Sequence, residues 1–322
     1  MLRDILIICF LFIPFQTNSY DAHYPRCDQT NLYINALYKH LPKIPTTSIS
    51  ARIAYISKQF LGKPYALSAL GEGSQGYFDQ APLYRTDAFD CETYVDTVLA
   101  LAFANNLPTF KQCIQNIRYR KGHIAFIDRN HFTCLDWNQN NQKQGLLRDI
   151  TTTIHDKNNK SIAVIAQAWI NKSSWYNHFS SNRIRIRHPS SVETSKRLRL
   201  LQQKGQALPT THSSIPYIPL TALFDHAGHA NHEVLKQIPN GAIIEIIRPN
   251  WDLSKEIGTH LNVSHLGFAI WENKKLMFLQ ASSTEQKVVQ IPLIEYLRKT
   301  LTSPTIKGIN IQIAMKSIAK SK

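Results

Sequence analysis

The chain has 322 residues, 43% hydrophobic and 18% charged, a balance that excludes a disordered polymer and fits one large domain or two modest ones. Its formal charge is +15 at pH 7. The basic residues are spread out, apart from a concentration at Arg183, Arg185, Arg187, Lys196, Arg197 and Arg199, and no zinc-finger spacing, stacking platform or phosphate-cradling Gly-rich loop accompanies them, so nucleic acid is not an expected partner and the charge is read as a solvated basic surface.

At the N-terminus, Arg3 precedes the apolar run Ile5 to Phe15, and Gln16-Thr17-Asn18-Ser19 follows with small residues suited to cleavage. Residues 1–19 are therefore expected to be an export signal, and the destination the periplasm or exterior of a bacterial cell. The run is too short to span a bilayer comfortably, so no stable membrane insertion is expected after cleavage. Removal of Cys9 leaves Cys27, Cys91, Cys113 and Cys134. An oxidising compartment presses thiols to pair, yet a nucleophile has to stay reduced, so at most one disulfide is expected among Cys27, Cys113 and Cys134, with Cys113–Cys134 one open pairing.

Residues 20–48 form an N-terminal extension in this reading. Ile49, Ile53, Ile56 and Phe60 have helical spacing, and Leu61-Gly62-Lys63-Pro64 supplies a stop. A loop containing Gly71, Gly73 and Gly76 then leads to Phe89-Asp90-Cys91-Glu92-Thr93-Tyr94-Val95. From Cys91 onward, Val95, Val98, Leu99 and Ala102 keep the spacing of an amphipathic helix that Asp90 is placed to cap. A cysteine opening a helix meets electropositive, unpaired peptide N–H groups that favour its thiolate, which makes Cys91 a candidate nucleophile.

Residues 117–150 read as irregular or short-stranded structure over a site, Ile162 to Ile170 as a helix, and the stretch from Val192 as a basic helix. The C-terminal third changes character. After the turn signal Pro239-Asn240-Gly241, residues 242–248, 266–271 and 275–279 read as strands, the last two joined by a short loop at 272–274. Helix packed on sheet makes an α+β fold. His265, at the mouth of the second strand, is the candidate base, since imidazole near neutrality can take a thiol proton and return it to a leaving amine. Asn171-Lys-Ser173 and Asn262-Val-Ser264 are glycosylation sequons. A glycan on Asn262 would crowd His265, which favours a bacterial protein. His226, His229 and His232, with Asp225 and Glu233, offer three-residue steps, but histidine spacing alone is a weak zinc signal and an exposed polar segment is preferred.

Leu61-Gly62-Lys63-Pro64-Tyr65, the Asp90-Cys91 segment, Arg129-Asn130-His131-Phe132, Asn240-Gly241, Val263-Ser264-His265-Leu266-Gly267-Phe268 and Ala281-Ser282-Ser283 occur together and in order. This set resembles the N-acetylmuramoyl-L-alanine amidase-like family of the NlpC-type, papain-like cell-wall hydrolases, over roughly 49–301. The resemblance implies a papain-like NlpC-type fold, with a helix bearing the cysteine on an antiparallel sheet or partial barrel bearing the histidine. Residues 302–322 would be a basic tail or a last strand. It implies a cysteine amidase cutting the bond between N-acetylmuramic acid and L-alanine in peptidoglycan fragments through a thioester, without metal or cofactor. Cys91 would be the nucleophile and His265 the base. Tyr65, Arg129, Asn130 and His131, with Asp90 and Ser264 beside the catalytic pair, would face the muropeptide. The family's third member, usually a histidine, is Gln280 here; its amide oxygen can still accept from an imidazole N–H. The alternatives are a stem-peptide endopeptidase of the same superfamily and a non-catalytic peptidoglycan-binding or effector protein, for which Trp137, Trp175 and Tyr176 would supply sugar-holding faces if they are not core residues.

Overall fold

The computed structural model describes residues 27–41 and 48–315, so the expected export signal lies outside the described residues. Eight antiparallel strands form one sheet: β1 (Leu147–Asp149), β2 (Val164–Asn171), β3 (Thr210–Pro219), β4 (Ala242–Leu253), β5 (Thr259–Glu272), β6 (Lys275–Ser282), β7 (Lys287–Pro292) and β8 (Gly308–Ala314). The order is β2-β3-β8-β4-β5-β6-β7, and β1 pairs with the end of β8 that β3 leaves uncovered. The helices are α1 (Cys27–His40), α2 (Ile49–Lys58), α3 (Cys91–Phe103), α4 (Leu107–Arg118), α5 (Asn138–Lys143), α6 (Lys172–Asn177), α7 (Ser191–Gln206), α8 (Leu220–Leu223), α9 (His232–Leu235), α10 (Ser254–Ile257) and α11 (Leu293–Thr300).

Alternation along β5 explains how one strand serves two cores. Leu266, Phe268 and Ile270 join a cluster with Ile34, Leu37, Ile53, Cys91, Tyr94 and Val98. Ala269 joins a second cluster with Ile244, Ile246, Phe278, Leu293 and Leu297. Both faces of β5 are covered, so its sequence from Leu266 to Trp271 is continuously apolar where a half-exposed strand would alternate. A third cluster gathers Phe126, Phe132, Ile170, Trp175, Tyr176 and Ile215 around β2, β3 and α6.

One expectation is corrected. Residues 162–170 form mostly strand: in β2, Ala166, Ala168 and Ile170 are buried while the residues between them are exposed, a period of two that the helical assignment overlooked. Of the two expectations for the C-terminal segment, a tail or a last strand, the described residues form a strand, β8, which lies between β3 and β4. In the stretch before residue 49, α1 packs Ile34, Leu37 and Tyr38 beside α3, and Tyr38 Oη donates to the Leu101 carbonyl at 3.4 Å.

Candidate functional site

Cys91 is the first residue of α3, and its position is set by the residue before it. Asp90 Oδ1 accepts from the Thr93 N–H at 2.8 Å, and the Asp90 N–H donates to Thr93 Oγ1 at 3.0 Å, closing a reciprocal cap. The helix behind the cap is anchored on β5: the Tyr94 ring meets Phe268 edge-on at 5.9 Å, and Tyr94 Oη donates to the Ser57 carbonyl at 2.9 Å. Cys91 itself is 1% exposed.

The oxidation state differs from the expectation. Cys91 is disulfide-bonded, whereas Cys113 and Cys134 are both free thiols. These two belong to different regions, Cys113 against the first core cluster and Cys134 inside the third, where its Sγ receives a hydrogen bond from Ser213 Oγ at 3.1 Å. Burial pushes each of these thiols up to about 11.

His265 lies inside β5, not at its mouth, because pairing with β4 already begins at Thr259. The register shifts between Ile246–His265 and Ile247–Val263, so Ser264 is the extra residue of a bulge, and its Oγ donates to the Ile246 carbonyl at 3.4 Å. Bulges re-aim neighbouring side chains, and the residue aimed here is His265. Its Nε2 is hydrogen-bonded to Oε1 of Gln280 on β6. The ring stacks on Tyr296 of α11 at 6.2 Å and meets Phe278 edge-on at 5.9 Å. Burial lowers its pKa to about 4 against the opposing pull of Gln280, so the imidazole is neutral near pH 7. An amide oxygen at Nε2 requires the proton there, which places the basic lone pair on Nδ1. The rings against His265, Phe278 and Tyr296, belong to the second cluster, whereas the next residue, Leu266, packs in the cluster that contains Cys91. The elements that carry the two residues, α3 and β5, pack against one another.

Tyr65 joins the same neighbourhood through a backbone bridge to Phe89, and the Ala66 N–H donates to the Phe89 carbonyl at 2.9 Å. Its phenol is raised by burial and then by the Asp90 carboxylate. Tyr65, Asp90 and Cys91 are therefore brought together at the head of α3.

In the segment after Tyr119, each of the expected groove residues has partners within the protein. Arg129 is ion-paired with Glu72 and, at 2.9 Å, with Asp79, which Arg185 also engages. Asn130 Nδ2 donates to the Ile117 carbonyl at 2.8 Å, and its Oδ1 accepts from Asn140 at 2.6 Å. His131 Nε2 is 2.8 Å from the Phe126 carbonyl, and its ring packs 4.8 Å from those of Phe126 and Trp175; burial and the Arg129 charge hold its pKa well down. All three side chains already have internal partners. Trp137, Trp175 and Tyr176 are core residues. His229 Nδ1 is 3.0 Å from Asp225 Oδ2, His232 opens the short α9, and among the described residues no group of three or more His, Cys, Asp or Glu side chains is placed to hold a metal ion.

Sequence reasoning missed the charges behind Cys91. Glu92 is held well above the usual carboxylate range by burial and by Asp96 and Asp90. Asp96 accepts from Trp137 Nε1 at 2.7 Å and lies 3.7 Å from Arg118 Nε, and burial raises it to about 7. Arg118 also donates to the carbonyls of Gly71 and Leu83 at 3.2 and 3.1 Å, tying the glycine loop to α3 and α4. The available signal was two carboxylates four apart in a helix otherwise free of charge, which share one helix face.

The structure is thus a mixed α/β protein in which the capped helix α3 lies on an antiparallel sheet of eight strands. A model of the AmiA-like, N-acetylmuramoyl-L-alanine amidase-like family matches residues 55–306, and the chain belongs to that family. It is similar to a crystallographically solved protein of Legionella pneumophila, at 52% identity over 89% of this chain and 95% of that one, with a TM-score of 0.87. The fold is also that of an N-acetylmuramoyl-L-alanine amidase from Bacteroides uniformis, at 24% identity over 83% of this chain and 99% of that one, with a TM-score of 0.58. No curated protein matches the chain. At family level this is a peptidoglycan amidase.

Proposed function

We propose that the protein is an exported cysteine amidase that cleaves the amide joining the lactyl group of N-acetylmuramic acid to L-alanine in peptidoglycan fragments. One observation carries the reading: the neutral His265, its tautomer fixed by Gln280, stands on the strand against which the Cys91 helix lies. The order helix cysteine, strand histidine, orienting amide on the next strand supports the NlpC-type, papain-like assignment. Export rests on the N-terminal sequence alone.

In this mechanism the reduced Cys91 thiol gives its proton to His265 Nδ1, and the thiolate adds to the lactyl carbonyl. Backbone N–H groups at the start of α3 hold the oxyanion. The C–N bond breaks as His265 protonates the departing L-alanine nitrogen, leaving a thioester on Cys91. Water, deprotonated by His265, then hydrolyses it and restores the thiol. Tyr65 and Asp90, at the head of α3, are the residues that would meet the substrate there. The test is Cys91→Ala measured for both cleavage and binding of muropeptides. Loss of cleavage with binding retained is the expected result; undiminished cleavage overturns the nucleophile.

A further inference from the structure

Of the five tryptophans, Trp169 alone is exposed, at 62%. It lies on β2, the strand that ends the sheet, and the register with β3 sets three outward pairs side by side: Trp169 opposite His212, Gln167 opposite Ser214 and Ile165 opposite Pro216. We infer that this outer face of the β2–β3 ribbon is a glycan-binding site, separate from the Cys91 site, that takes an uncharged chain of N-acetylated sugars; the choice of cell-wall glycan as that chain rests on the proposed function.

The face is built on a packed scaffold. Alternation along the two strands turns Ala166, Ile170 and Ile215 into the third cluster, whereas Cys91 belongs to the first, and leaves the opposite side chains in solvent. The rings of Trp169 and His212 stand 5.1 Å apart at 61°, an edge-type contact that braces the exposed indole. An indole face takes the C–H face of a pyranose, and Trp169 Nε1, Gln167, His212 and Ser214 supply donors and acceptors for hydroxyl and acetamide groups. Among the described residues no hydrogen bond engages these four side chains. The face is also uncharged: neither β2 nor β3 contains Asp, Glu, Lys or Arg, in a chain of net charge +15. An acidic polymer or an anionic membrane is matched by the basic surface elsewhere, whereas muramic acid with its carboxyl tied up in the stem-peptide amide presents a neutral backbone, which a neutral face complements. Size and layout speak against a protein partner. The three pairs extend only about 14 Å at a rise of about 3.4 Å per residue, far short of the roughly 800 Å² per partner of a stable protein interface. The polar pair Gln167–Ser214 occupies the middle, with Trp169 and Ile165 at the two ends, the reverse of an apolar core inside a polar rim.

The test uses the full chain and chitohexaose, a neutral N-acetylglucosamine oligomer free of peptide, with binding measured by calorimetry and with melting temperature, oligomeric state and turnover of a soluble monomeric muropeptide followed in parallel. The parent is expected to bind the oligomer, Trp169→Ala to weaken binding by at least about tenfold, and Trp169→Tyr, which keeps a stacking face, to stay within about threefold of the parent. Both variants should keep the parent's melting temperature and its turnover of the soluble muropeptide. A parent that does not bind the oligomer, or a Trp169→Ala variant that binds it as the parent does, overturns the site. Dimerisation of the parent that is lost in Trp169→Ala, without oligomer binding, overturns it in favour of an interface between copies. Oligomer binding that Trp169→Ala removes from a protein with no muropeptide turnover supports the sugar site and sinks the amidase reading, so the two fail separately.

Discussion

Gln280 on β6 holds Nε2 of His265 on β5 through its amide oxygen, so the imidazole is oriented by a neutral group that can neither charge nor donate from that atom. The pair sits among Tyr296 and Phe278 with almost no exposure. Truncating Gln280 leaves the tautomer and ring angle of His265 unspecified. Gln280→Ala is expected to lower kcat by about 100-fold, with KM nearly unchanged, whereas Gln280→His, which also accepts at that position, is expected to stay within about tenfold of the parent. Steady-state kinetics on a soluble muropeptide, with circular dichroism to confirm folding, checks both.

The buried imidazole gives a signed pH dependence. The folded pKa of about 4 lies below the unfolded value near 6.5, so between those values the unfolded chain binds the extra proton. The stability linked to His265 is fully present above pH 6.5 and is lost as the pH falls towards 4, by about 3 kcal/mol. His265→Asn removes this term, so the stability gap between parent and variant should shrink on acidification across that window. Urea unfolding at several pH values measures it; a gap constant from pH 7 to 4 contradicts the burial argument.

The cap at the head of α3 has its own signature. Asp90→Ala removes the acceptor for the Thr93 N–H and is expected to cost about 1–2 kcal/mol, while Asp90→Asn retains an acceptor and should cost less than half as much. Chemical denaturation distinguishes the two. A larger loss of turnover than of stability in Asp90→Asn would place the Asp90 charge, and not its cap, at the site.

Arg129 is predicted to act in the fold and not in the groove. Arg129→Met strands the carboxylates of Glu72 and Asp79, and breaking such a buried pair costs about 3–5 kcal/mol. His131→Ala should likewise lower the melting temperature and leave KM unchanged, because the ring is enclosed by Phe126 and Trp175. A raised KM with unchanged stability in either variant would restore a substrate-facing role.

The local signals of the site were legible in the sequence, and its long-range arrangement was not. Asp90 before Cys91 and the Ile49, Ile53, Ile56 spacing announced α3 and α2 because caps and periodicity are short-range properties. The strand at 266–271 was found, but its true start at Thr259 was not, since Asn262 and Ser264 interrupt the apolar run although both are buried in the sheet. Residues 162–170 misled because Ala and Ile serve either element, and only pairing with β3 decides between them. Polar side chains in an irregular stretch suggest a surface, and the ion pairs of Arg129 with Glu72 and Asp79 are not legible in the sequence because the partners lie 57 and 50 residues away.

The central claim is tested most directly by digesting a defined N-acetylmuramoyl stem peptide with the dithiothreitol-reduced protein and identifying the new amine by mass spectrometry. The expected products are the intact stem peptide with L-alanine at its N-terminus, and none from Cys91→Ala. A sugar still carrying L-alanine and D-glutamate, the product of a stem-peptide endopeptidase, or release undiminished by Cys91→Ala, would contradict it.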